Sequence, residues 1–194
     1  MTWGTPCEVA ERIFTFPGAA TGKLCDDIIA MLSKSESQAA RVTDSVGGNA
    51  AKLVVDPSFR RAKIWKFSAA GSLTRQVSRL FHRTATKIVQ PLGTLGYSID
   101  DPQFTMYPQG GFFNPHTDSG PLYRNRWFTM ILYLNESFSG GETNFPDLDC
   151  SAVPRAGSVV VFPSHYLHAS LPIRKGQKYI CVTWILRDTL NIWP

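Results

Sequence analysis

Between residues 22 and 35, in GKLCDDIIAMLSKS, the apolar residues Leu24, Ile28, Ile29 and Leu32 recur at the spacing of one helix face. Thr21 stands just before them, a residue type that caps helix N-termini, so a helix is predicted to start there. A second helical stripe runs through Leu73, Val77, Leu80, Phe81, Thr84 and Ile88, with Ser72 as its predicted cap. Pro91 and the glycines at 93 and 96 end or kink it. Between the two stripes, AKIWKF (62–67) alternates and reads as a strand.

After residue 100 the period changes. PQFTMYP, FFNPHTD, WFTMILYLN, GGETNFP, GSVVVFP, YLHASLP and KYICVTWIL are short apolar runs separated by Gly, Pro and Asn. Such punctuation predicts a series of short strands in a sandwich or jelly roll. The fold class expected is therefore mainly β with flanking α. A jelly-roll catalytic core over 101–188 would be supported by helices and a strand from 1–100, within a single domain of 1–194.

Composition fits this picture. Of 194 residues 43% are hydrophobic and 18% charged, which suits a buried core and argues against disorder. The net charge of +5 favours an anionic ligand. There is no run of like charges, so nucleic acid is not the expected partner. Cys7, Cys25, Cys150 and Cys181 are scattered without metal spacing and read as free thiols of a reducing compartment. The start, MTWGTPCEVAERIF, shows no signal-peptide pattern, and no stretch has the length of a membrane span. A soluble, cytoplasmic protein is expected.

The chemistry concentrates in GGFFNPHTD (110–118). On a strand, His116 and Asp118 at i and i+2 would face the same side and could point at one metal ion. A third ligand is needed. His168, in SHYLHASLP, lies on another predicted strand that a jelly roll can bring alongside. His165 precedes the same strand and stays open as an alternative. His82 falls in the second helix, beside Arg79 and Arg83, where a surface role fits better. Two histidines and one carboxylate occupy one face of an octahedron and leave adjacent positions open, the arrangement of non-haem Fe(II) oxygenases.

Taken together, YPQGGFFNPHTD, RWFTMILYLN, GGETNFP, VPRAGSVVVFPS and HASLPIRKGQKYICVTW occur in the order seen in a known family. From roughly residue 104 to 186 the chain resembles the prolyl 4-hydroxylase-like 2-oxoglutarate- and Fe(II)-dependent dioxygenases. The resemblance implies Fe(II) held by His116, Asp118 and His168, which are then the catalytic residues. It implies a 2-oxoglutarate cosubstrate whose far carboxylate meets Lys178, ten positions after His168. The physical need is plain, because a buried dianion requires a fixed cation. Arg174 and Lys175 are close in sequence but read as solvent-facing turn residues. By the same likeness Tyr107, Thr143 and Trp184 line the cosubstrate pocket and Arg126 contacts substrate.

The implied reaction couples oxidative decarboxylation of 2-oxoglutarate by dioxygen to hydroxylation of an unactivated C–H bond, with ascorbate as an optional reductant. Retention of Asp118, where related halogenases carry Gly or Ala, favours hydroxylation. A prolyl residue in a peptide or protein is the preferred substrate, with a free amino acid or other small molecule as the alternative. A metal- or ligand-binding jelly roll without catalysis is the rival from another class. The loop SGPLYRNR (119–126), with Arg124 and Arg126, is placed to close over the substrate.

Overall fold

The computed structural model describes residues 7–44, 52–67, 71–93 and 96–187. Residues 1–6, the start of the N-terminal stretch read above, and 188–194 lie outside them, as does the Cys7 side chain. The chain is mainly β, with two α-helices among the described residues.

Helix α1 spans Gly22–Ser33, and its predicted cap is in place: the Leu24 amide donates to Thr21 Oγ1 at 3.2 Å. Helix α2 spans Ser72–Val89, but Ser72 is already helical. The N-cap is Gly71, which offers no side-chain acceptor, so the predicted serine cap is corrected by one residue. After α2 a 3₁₀ turn carrying Pro91 runs from Gln90 to Leu92.

The larger sheet has the order Cys7–Ala10, Ile13–Phe16, Val159–Pro163, Arg126–Tyr133, Lys178–Arg187, Gln103–Tyr107, Lys63–Lys66 and Gln38–Ala39. Tyr97–Ile99 adds to the far end of the Lys178–Arg187 strand. A four-stranded sheet faces it, ordered Cys150–Ala152, Thr143–Phe145, His168–Ser170 and Phe113–His116. All pairings are antiparallel.

The larger sheet is buried on both faces, which explains why its central strands read as continuous apolar runs rather than alternating ones. On one face Met130, Leu132, Val159, Val161, Cys181 and Ile185 pack with Ile28 and Leu32 of α1 and Val77, Leu80 and Phe81 of α2. On the other, Ile131, Tyr133, Val160, Phe162, Ile180 and Val182 pack with Phe145 of the smaller sheet. Strand parity thus sorts even and odd residues between a supporting core and a site-bearing core. The short hairpins Cys7–Ala10/Ile13–Phe16 and Val42–Asp44/Lys52–Val54 had no legible alternation.

Candidate metal and cosubstrate site

His168 and His116 are direct cross-strand partners in the smaller sheet. Each imidazole engages a backbone carbonyl through Nδ1, His116 with Asn114 O at 2.8 Å and His168 with Tyr166 O at 3.0 Å. Such contacts fix the ring and the tautomer and leave Nε2 available to a metal ion.

Asp118 does not continue the strand. That strand ends at His116, so the predicted i, i+2 strand geometry is corrected. The amides of Asp118 and Ser119 instead donate to Ser164 O at 2.9 and 3.0 Å, which turns the chain inward. Asp118 Oδ1 then lies 3.6 Å from His116 Nε2, and Oδ2 lies 3.6 Å from His168 Nε2. One ligand atom from each of the three residues falls within 4.8 Å of the others, close enough to share an ion.

The carboxylate is held as firmly as the rings. Thr129 Oγ1 donates to Asp118 Oδ2 at 2.8 Å and Trp184 Nε1 donates to the same oxygen at 3.0 Å. Burial pushes the Asp118 carboxyl up, but His168, His116 and the indole hydrogen bond outweigh it and hold the group ionised, well below the usual carboxylate range. Burial brings the His168 imidazole down to about 4, against the pull of Asp118, so it is neutral and ready to ligate at physiological pH. His165 is exposed and packs edge-on against Tyr166, and His82 is exposed on α2, so neither joins the group.

Lys178 is 1% exposed and starts the strand that also carries Trp184. Residues 178, 180, 182 and 184 share its site-bearing face. The Lys178 ammonium donates to Gly141 O at 2.6 Å and to Ser170 Oγ at 2.8 Å, and among the described residues no carboxylate is in direct contact with it. Burial lowers its pKa to about 7, partly offset by Glu142. The glycine pair of GGET makes this approach possible. Gly140 and Gly141 both have positive φ, +77° and +72°, and a Cβ at Gly141 would collide with Ile173 Cδ1 and crowd Lys178 Cδ. Arg174 and Lys175 are exposed, on a short strand rather than in the predicted turn, and Arg174 lies near Glu142.

Tyr107 is paired in register with Lys178 across the sheet, and the Lys178 ammonium sits 5.0 Å from its ring centroid. Thr143 accepts or donates a 2.7 Å hydrogen bond with the buried Tyr133 hydroxyl. Arg126 is clamped between aromatic faces, 3.4 Å from the Trp184 ring centroid and 3.9 Å from that of Tyr123. It also donates to the Asp118 carbonyl at 3.3 Å and lies 3.7 Å from Asp100 Oδ2. The eight residues given a metal, cosubstrate or substrate role from the sequence, together with Arg60 and Ser170, border one cleft of about 690 Å³, whereas Arg124 does not line it. Thr129, Tyr133, Ser170 and Arg60 were missed. A hydroxyl at alternate positions of an otherwise apolar run (Thr129, Tyr133) was the one available signal for the first two.

Residues 102–186 match the family model described as the 2OG-Fe(II) oxygenase superfamily. A candidate prolyl 4-hydroxylase of Acanthamoeba polyphaga mimivirus is 29% identical over 108 residues, which cover 45% of this chain and 45% of that protein. Among solved structures, a Pseudomonas putida prolyl-4-hydroxylase superposes with a TM-score of 0.71 at 21% identity, covering 91% of this chain and 93% of that one. A Trichoplax adhaerens prolyl hydroxylase, solved with a hypoxia inducible factor peptide fragment, gives 0.72 at 13% identity, covering 91% and 84%. These likenesses show a jelly-roll type fold. Residues 102–186 are thus similar to the 2OG-Fe(II) oxygenases, and prolyl 4-hydroxylases are among the proteins the chain resembles. The chain spans less than half the length of the first curated relatives it matches, 45% and 27%.

Proposed function

We propose that this chain is a 2-oxoglutarate- and Fe(II)-dependent dioxygenase that hydroxylates a prolyl residue in a peptide or protein. The observation that carries the reading is the placement of a two-histidine, one-carboxylate group and a buried lysine in one cleft. A pure metal-binding module has no use for an uncompensated ammonium beside the metal ligands. We read the two facing sheets as a double-stranded β-helix.

The donor set fits the metal. Two Nε2 atoms and one carboxylate, each fixed by a hydrogen bond from behind, suit ferrous iron with open adjacent positions. His116, Asp118 and His168 would hold it. Bound iron with 2-oxoglutarate and dioxygen supplies the oxidising power that no side chain has. The chain's own part is binding, orientation and dryness. Lys178 would take the far carboxylate of 2-oxoglutarate, with Thr143 and Tyr133 beside it. Ile131, Ile180 and Val182 exclude water from that end. Trp184 and Thr129 keep the Asp118 carboxylate oriented, and Arg126 walls the substrate side.

The cleft continues past the metal group to Gln38, Arg41, Leu53, Phe67, Asp101 and Leu122. That extent supports a peptide segment over a free amino acid. Cys25, Cys150 and Cys181 are free thiols, which suits a reducing, cytoplasmic setting.

The test is incubation with Fe(II), 2-oxoglutarate and either prolyl peptides or free proline, with succinate release and mass spectrometry as readouts. Gain of one oxygen atom on the peptide, abolished in His116→Ala and His168→Ala, is the expected result. Oxidation of free proline alone would overturn the peptide assignment, and absence of succinate release under all conditions would overturn the activity.

A further inference from the structure

Arg60 lies in the half of the chain where no motif is legible, on a turn between two short strands. Its Nε is buried, and among the described residues it is the one such side-chain atom without a hydrogen-bond partner. Leaving a buried donor unpaired is unfavourable unless a ligand supplies the acceptor.

The turn is built to hold this side chain. Ser58 N and Oγ both donate to Asp56 Oδ1, and Arg60 N donates to Asp56 O at 2.9 Å. The turn is sewn to the strand that carries His116: Asn114 N donates to Phe59 O at 3.0 Å, Arg61 N to Phe112 O at 2.9 Å, and Arg60 forms a backbone bridge with Phe113. The guanidinium carbon sits 4.4 Å from the Phe113 ring centroid. The Phe113 ring in turn stacks on His116, with centroids 3.5 Å apart and planes 20° apart. On another side the guanidinium approaches Tyr107, where its charge and a hydrogen bond draw the phenol pKa down against the larger upward push of burial. Arg60 therefore reaches Tyr107 and, through the Phe113 ring, the His116 side of the metal group, and it lines the same cleft as Lys178.

We propose that Arg60 is a binding residue for the metal-side carboxylate of 2-oxoglutarate, with its unpaired Nε–H and the charge held over Phe113 receiving a carboxylate oxygen. The inference rests on the oxygenase reading above. It divides the dianion between two cations: Lys178 for the far carboxylate and Arg60 for the near one. A planar fork with fixed donors suits a carboxylate better than a lysine would.

The probes are 2-oxoglutarate and 2-oxobutyrate, a 2-oxo acid without the far carboxylate, titrated calorimetrically into the Mn(II)-loaded protein. Arg60→Met is expected to weaken both acids by the same factor, roughly ten- to a hundredfold, with metal affinity kept within about twofold. Lys178→Met is expected to weaken 2-oxoglutarate alone. Arg60→Lys keeps a cation without the fork, should recover part of the loss, and serves if the methionine variant does not fold. Unchanged affinity for both acids in Arg60→Met and Arg60→Lys would overturn the proposal, and so would a loss of metal affinity in step with acid affinity, which would mean that Arg60 acts only through Phe113 and His116. If the unmodified protein binds Mn(II) but neither acid, the oxygenase reading itself fails.

Discussion

His116 and His168 are 52 positions apart in the chain yet sit opposite one another in register, with ring centroids 4.3 Å apart. A single hydrogen-bonded ladder therefore sets the spacing of two of the proposed metal ligands, and only the third, Asp118, depends on a turn. The carboxylate is accordingly the ligand that needs the most support from outside the sheet.

That support can be removed piecewise. Trp184→Phe and Thr129→Val each delete one donor to Asp118 Oδ2 while keeping the shape of the site. Each is expected to weaken Fe(II) or Mn(II) binding by roughly 10- to 100-fold, as loss of a partner behind a metal ligand commonly does. Metal titration by calorimetry measures this directly, and unchanged affinity in both variants would show that the ladder and turn suffice.

Lys178 gives a separate expectation for pH. Burial lowers its pKa from the ordinary 10.5 to about 7 in the free protein. Binding of a carboxylate needs the charged form, so 2-oxoglutarate binding should take up a proton at alkaline pH. Affinity is expected to fall by about tenfold per pH unit above roughly 7, until the pKa of the bound form is reached. For folding the sign is opposite to that of a salt-bridged lysine. The unfolded chain holds more protons between 7 and 10.5, so stability gained from neutral Lys178 rises with pH across that window. Calorimetry at pH 6.5 and 8.5 in buffers of differing ionisation enthalpy reads the proton uptake.

Lys178→Met separates binding from stability. The variant should lose 2-oxoglutarate affinity by at least about 30-fold, the lower end for removing one member of a buried charge pair. Its melting temperature should stay level or rise, because a buried ammonium without a carboxylate partner is replaced by an apolar chain of similar length. A clear drop in melting temperature would show that the bonds to Gly141 and Ser170 outweigh desolvation.

Gly141→Ala tests the backbone that admits Lys178. The left-handed φ of +72° and the collision with Ile173 predict a loss of about 1–3 kcal/mol in stability. Denaturant unfolding measures it. A wild-type midpoint would mean that the Ile173 side chain can move aside.

How much of this was readable in advance follows physical range. The two helices and seven of the ten strands described after residue 100 are visible because period and punctuation are local signals, although the second helix is capped by Gly71 rather than Ser72. Lys178 and Trp184 were named by the family resemblance, and strand parity, which carries over six residues, agrees with their sharing one face. Thr129 and Tyr133 were hidden because a hydroxyl on a strand buried on both faces looks like any β-branched or aromatic core residue until its partner is known. Arg60 was beyond reach, since its backbone bridge to Phe113 joins a turn to a strand 53 positions away. The bend at Asp118 depends on Ser164, an acceptor that no local pattern names.

The strand from Lys178 to Arg187 works as a ruler. Three two-residue steps separate the ammonium from the indole that steadies Asp118, a span of roughly 20 Å of extended chain. Inserting or deleting one residue between them would turn either the lysine or the tryptophan toward the helices, so on the proposed function the length of this segment must be kept to the residue for the far carboxylate and the metal ligand to serve the same small molecule.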